Sequence, residues 1–191
     1  MRKRPGSIIV ALRCRCCSGE GGKTMYYYLF ILAIGAERLV ELAVAQRNAK
    51  WSIAHGGKEF GRDHYPAVVN MHALLLVSCI VEVWVLGRPF IGWLGWPMLA
   101  VVVLSTVVRW WCVAALGKHW NTRLIVIPGA PLVRDRLYRW VRHPNYTAVA
   151  AEVAALPLVH SAWMTAMVFS IANALVLNVR IRAENAALGY A

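Results

Sequence analysis

The feature that most limits how this chain can fold is a series of apolar runs long enough to cross a bilayer. About 20 apolar residues suffice for one crossing. The segments Met25 to Ala45, Pro66 to Leu86 and roughly Phe90 to Leu116 each qualify. After a polar, basic stretch from Gly117 to Arg142, a further apolar run from Tyr146 to Arg180 is 35 residues long. That is enough for two helices if the chain folds back near Leu156-Pro157-Leu158-Val159-His160-Ser161. The pattern predicts an all-α integral membrane protein of about five transmembrane helices, the last two a helical hairpin. Composition agrees, since 59% of residues are hydrophobic and only 16% charged, against about 25% charged in soluble domains.

The formal net charge is +12, which on a soluble domain would suggest nucleic acid. Here the basic residues sit between apolar runs, so the expected partner is the lipid bilayer with its anionic inner leaflet, and no nucleic acid. With five crossings, twelve basic residues between Arg47 and Arg182 fall on one side, which should be cytoplasmic. The other side receives Arg88 and six residues between Arg2 and Lys23. Residues 1–24 alone contradict the charge rule and are rich in glycine, so they are read as a basic leader, a start-site extension ahead of Met25. Residues 25–191 then form a single domain. Cys14, Cys16 and Cys17 lack a fourth ligand nearby, and the histidines lack metal-ligand spacing, so no metal and no disulfide framework are expected.

Ionisable groups inside a bilayer cost at least about 2.5 to 3.5 kcal/mol each on insertion scales. Glu37, Arg38, Glu41, Glu82, Arg109 and Glu152 all carry that cost. Glu37 and Glu41 are one turn apart and share a helix face. Two readings are open: interhelical pairing near the membrane ends, or one wall of a polar cavity.

The most informative stretch is Gly117 to Tyr146, followed by Arg180 to Leu188. It holds Leu132-Val133, then Tyr138, then Arg142-His143-Pro144-Asn145-Tyr146, which opens a membrane helix. Proline disfavours helix at His143 and favours a helix starting just after it. The free N–H groups of that helix start would face the interface, where a polar or anionic ligand can be held. Arg180 and Glu184 are four residues apart on one face of the last helix. Such a pair can hold a zwitterionic ligand, although from spacing alone an interfacial salt bridge is the simpler account.

In combination these motifs resemble the isoprenylcysteine carboxyl methyltransferase family, integral-membrane enzymes that use S-adenosyl-L-methionine. The resemblance covers residues 117–188. A second match, in Glu37-Arg38-Leu39-Val40-Glu41, Gln46 to Trp51, Gly56 to Gly61, His64-Tyr65 and His72, is similar to a bacterial branch that methylates alkylpyrones and alkylresorcinols made by type III polyketide synthases. The resemblance implies a cofactor pocket facing the cytoplasm from the plasma membrane. Leu132, Val133, Tyr138, His143, Pro144, Asn145, Tyr146 and Glu184 would bind the cofactor, and Arg180 would face a lipophilic acceptor. Arg123 stands where the eukaryotic members have Gln, and Ala130-Pro131 where they have His-Thr; these positions receive no role. The expected function is O-methylation of an acidic oxygen on an alkylpyrone, an alkylresorcinol or a prenylcysteine carboxylate. The alternatives are a phospholipid N-methyltransferase, or a non-catalytic scaffold or small transporter subunit.

Overall fold

In the computed structural model, residues 20–60, 65–129 and 143–187 are described. They form five helices: α1 (Glu20–Ala54), α2 (Tyr65–Leu86), α3 (Gly92–Leu116), α4 (Pro144–Leu158) and α5 (Trp163–Ala187). A 3-10 turn over Gly117–His119 extends α3. Residues 20–24, placed in the leader by the sequence reading, belong to α1, and the Lys23 ammonium lies 5.5 Å above the Phe90 ring.

Three helices are long and apolar enough to cross a membrane: α2, α3 with its 3-10 extension, and α5, with mean hydropathies of 2.0, 2.0 and 1.6. The other two differ for physical reasons. With 35 residues, α1 spans about 50 Å at 1.5 Å per residue, but Glu37, Arg38 and Glu41 interrupt its apolar run. At 15 residues, α4 is about 22 Å long, short of the roughly 30 Å hydrocarbon core. It is the inner helix, packed between α3 and α5 and burying Val149, Glu152, Val153, Ala155 and Leu156. Shielded by protein, it need not match the lipid thickness.

The expected hairpin is present. Pro157 lies in the last turn of α4, and the chain reverses through Val159–Ala162 before α5 begins. The Ala162 N–H donates to the Pro157 carbonyl at 3.0 Å, and Ser161 takes a φ of 58° to close the turn. Ile31, Leu75, Val83, Val102, Val153 and Leu156 make the interior. Leu29, Leu32, Trp84, Leu104 and Leu175 point outward and are more than half exposed. A face so apolar without protein cover is what a lipid-facing surface requires.

Two short strands join the helices, a feature the apolar pattern does not announce. β1 (Lys58–Phe60) pairs antiparallel with β2 (Leu124–Val126), with Glu59 opposite Ile125. Gly57 makes this ribbon possible: a Cβ there would lie 2.7 Å from the Ser52 carbonyl oxygen and 2.8 Å from Ile125 Cγ2. Glu82 has a fold role as well. Its carboxylate accepts from the backbone N–H groups of Met164 and Thr165 at 3.3 and 2.7 Å, and from Arg88 Nε at 3.0 Å. It thereby satisfies free donors in the first turn of α5 and binds the loop that follows α2.

Gly95 allows α3 to approach the hairpin turn. A Cβ there would meet the Phe90 ring at 2.4 Å and the Val159 carbonyl oxygen at 2.8 Å, whereas one at Gly92 meets only Trp96 Cδ1 at 3.9 Å. Gly95→Ala is therefore expected to cost about 1 to 3 kcal/mol through overpacking, read as a lower melting temperature in detergent. Gly92→Ala should melt within experimental error of the parent.

Candidate active site

The chemistry of the chain gathers at the start of α4 and the end of α5. His143 has non-helical backbone geometry and Pro144 takes the first helical position, as the His-Pro order predicts. One turn on, the Tyr146 hydroxyl donates to Glu184 Oε2 at 2.6 Å. His143 Nδ1 lies 3.9 Å from Glu184 Oε1, and the His143 and Tyr146 rings stack at 5.5 Å between centroids. The Arg180 guanidinium lies over the Tyr146 ring at 5.6 Å, and its Nη2 donates to the Thr122 carbonyl at 2.6 Å. Among the described residues Arg180 and Glu184 do not pair with each other. The salt-bridge account of their spacing is thus not what the structure adopts: each turns to a partner on another element.

His143, Pro144, Asn145, Tyr146, Arg180 and Glu184 are all brought to one place. Asn145 Oδ1 is buried there without a hydrogen-bond partner among the described residues. Leu132, Val133 and Tyr138 lie outside the described residues. Sequence reasoning missed Thr122 and Tyr65. Thr122 holds Arg180 through its carbonyl and Tyr65 Oη through its hydroxyl at 3.3 Å, and Arg123 stacks on the Tyr65 ring at 5.0 Å. Thr122 and Arg123 immediately precede β2, so the ribbon positions them, and nothing in their local sequence signals that.

These residues form the mouth of a cavity of about 1010 Å³. Ligand pockets commonly occupy about 300 to 1000 Å³, so this one stands at the upper end of that range. Its body is apolar, with Leu39, Leu42, Val69, Leu76, Val176 and Leu177 in the wall. Its inner end is polar again, at Arg38, Glu41, His72, Arg109 and Asn173.

The intramembrane charges explain that inner end. Arg109 is bonded to Glu41 through two nitrogens, one of them Nε at 3.0 Å from Oε1. Arg38 binds Glu41 as well and reaches Glu152 through Nη2 at 2.8 and 2.9 Å. Glu37 lies 2.9 Å from Arg38 and accepts from Trp110 Nε1 at 2.8 Å. Trp110 thereby gives its indole N–H to this cluster. Both sequence readings hold: the charges pair between helices, and three of them also line the cavity.

A family model for the isoprenylcysteine carboxyl methyltransferase (ICMT) family matches residues 98–190. The chain belongs to this family. An uncharacterized protein of Bacillus subtilis, YpbQ, is 42% identical over 164 residues, covering 85% of this chain and 96% of its own length. An uncharacterized protein of Haemophilus influenzae is 27% identical over 163 residues, covering 84% of this chain and 91% of its own. No solved structure matches. The ICMT match takes in α4, α5 and most of α3, so it includes every described residue of the mouth cluster except Thr122's partner Tyr65. Membership makes the chain a membrane methyltransferase by family.

The buried ion cluster yields a stability test. Arg109→Met leaves Glu41 with one guanidinium instead of two, and breaking a buried pair from one side costs about 3 to 5 kcal/mol. The double variant Arg109→Met/Glu41→Gln should lose clearly less than the sum of the two single losses, measured by thermal melting in detergent.

Proposed function

We propose that this chain is an S-adenosylmethionine-dependent O-methyltransferase that transfers a methyl group to an acidic oxygen on a lipid-borne acceptor. The convergence of His143, Tyr146, Arg180 and Glu184 at the mouth of an apolar cavity carries this reading. A scaffold has no use for such a set. The residues fit the cofactor: Glu184 offers a carboxylate to an ammonium or to sugar hydroxyls, and the stacked His143 and Tyr146 rings offer a face to a purine or a cation. Asn145 Oδ1 supplies a further acceptor that the protein leaves unpartnered. When bound, the cofactor supplies an electrophilic methyl group.

The chain's own residues do the rest. Glu184 and Tyr146 fix one partner, and Arg180 orients the acceptor oxygen as a permanent cation that takes no proton. Opposite charges annihilate in the transfer, so alignment and exclusion of water are the main demands on the protein. A carboxylate or acidic enol is already ionised near neutral pH. A phenol, with an unperturbed pKa near about 10, gains from a base such as His143. The apolar cavity wall suits an alkyl tail, which supports an alkylpyrone or alkylresorcinol from a type III polyketide synthase pathway, with a prenylcysteine carboxylate as the carboxyl-bearing alternative. In this reading all five helices cross the bacterial plasma membrane, α4 inside its neighbours, and the mouth faces the cytoplasm, where the basic residues concentrate.

Calorimetric titration of the detergent-purified chain with S-adenosylhomocysteine tests the pocket. Micromolar binding is expected in the parent, with at least a tenfold loss in both Glu184→Ala and His143→Ala. Arg180→Ala should keep the affinity and lose turnover. No binding to a well-folded parent would overturn the reading.

A further inference from the structure

The residues that carry α1 out of its apolar run fall into two stripes. Asn48 and Ser52, four apart, are buried and face the segment that follows α3. Asn48 Nδ2 donates to the Gly117 and Trp120 carbonyls at 3.0 and 2.8 Å, and Asn121 Nδ2 donates to Ser52 Oγ at 3.2 Å. These bonds pin the 3-10 turn, and with it Lys118 and His119, against α1. Arg47, Trp51 and His55 form the neighbouring stripe at the same spacing of four. The His55 ring stacks on Trp51 at 4.2 Å, and its Nδ1 donates to the Trp51 carbonyl at 2.8 Å. From the 3-10 turn, His119 meets the Trp51 ring at 5.4 Å and nearly at a right angle, and the Lys118 ammonium lies 5.5 Å above that ring.

The result is a basic platform around one indole, with nothing acidic in it. No Asp or Glu occurs between Glu41 and Glu59, or between Glu82 and Asp135. Glu59 turns to Arg123 at 3.5 Å. Arg47, His55, Lys118 and His119 are all exposed, and among the described residues none of them has a carboxylate partner. Their depth follows from α3, whose candidate span of Gly92–His119 ends on Lys118 and His119, at the level of lipid head groups. Tryptophan suits that level, and Lys118 lies over its ring rather than extending into water. A phosphodiester matches the set. It is an anion that accepts from a guanidinium, an ammonium and an imidazole N–H, and its acyl chains belong in the bilayer. A zwitterionic head group adds an ammonium that Arg47 and Lys118 repel, whereas a glycerol head group adds no charge.

We propose that Arg47, Trp51, Lys118 and His119 form a docking site for the head group of an anionic phospholipid. Arg47 and Lys118 hold the phosphate charge, His119 donates an N–H, and Trp51 seats the head group at the interface while His55 braces its ring. This is narrower than the attraction of basic loops to an anionic leaflet, which every exposed lysine or arginine on that side shares. It does not depend on the methyltransferase reading. His119 also lines the large cavity, so a lipid seated here borders the mouth.

Native mass spectrometry of the full chain in detergent micelles tests the site, with dioleoyl-phosphatidylglycerol and dioleoyl-phosphatidylethanolamine titrated separately and the first bound lipid read. The parent should bind phosphatidylglycerol about tenfold more tightly, as two cations near a lipid phosphate imply. In the double variant Arg47→Gln/Lys118→Gln that preference should fall to about twofold or less. Both side chains are exposed, so the double variant should melt with the parent. Arg182→Gln removes an exposed cation near the end of α5 and should keep the full preference. An equal loss in Arg182→Gln shows attraction to net charge alone and overturns the site, as does a preference that survives in the double variant. Displacement of the lipid by millimolar inorganic phosphate also overturns it, because the platform would then hold a soluble anion.

Discussion

The fold depends on the ion cluster that joins α1, α3 and α4 at membrane depth. In lipid, apolar helices gain nothing from the hydrophobic effect on meeting one another, so packing, hydrogen bonds and ion pairs must select the arrangement. Glu41 is the centre of that selection: it is 3% exposed and engages both Arg38 and Arg109. Glu152 adds α4 through Arg38, and Glu37 adds Trp110 of α3. Charges of this kind are costly to bury and more costly to bury singly. Any slip of α1 against α3 or α4 would strand at least one of them, and the register of three helices is thereby set.

The same cluster creates the space in which chemistry can occur. α1 packs mainly against α2, the 3-10 turn and β2, while α4 packs against α3 and α5, and the cavity lies where residues of α1, α2 and α5 face one another. Arg38, Glu41 and Arg109 form its inner end because groups that must meet across helices cannot also be covered by leucine. The ribbon contributes at the opposite end. It brings Thr122 beneath Arg180, drawing that guanidinium away from Glu184, which sits only one turn further along α5. Glu184 is left to Tyr146 and His143, and the mouth acquires a cation and a carboxylate with separate tasks.

How much of this was legible in the sequence follows from which features have a period or a motif. The apolar runs marked α2, α3 and the α4–α5 hairpin, because about 20 apolar residues in a row have few other uses. His143-Pro144 marked the start of α4, and Arg180 with Glu184 the face of α5. The ribbon was not legible: strands of three residues carry no alternation to count, and the close approach that needs Gly57 exists only in three dimensions. The Trp110 bond to Glu37 depends on helix register, which no local motif announces. His72 and Asn173 are single polar residues in apolar helices, a pattern shared by many satisfied core residues. Only the cavity separates them from those.

In the proposed reading, a lipid-borne acceptor and a water-soluble cofactor impose conflicting demands on one cavity. The cofactor is charged and needs hydrogen-bonding groups at the interface, where α4 begins and α5 leaves the apolar region. The acceptor carries an alkyl tail that belongs at bilayer depth, beside Leu39, Leu76 and Val176. A short α4 would reconcile the two: at about 22 Å it can set the His143–Tyr146 shelf below the level a full spanning helix would reach. Neutralising a sulfonium against an oxygen anion is favoured where water is scarce. In that reading, a polar shelf at the edge of an apolar chamber provides that setting.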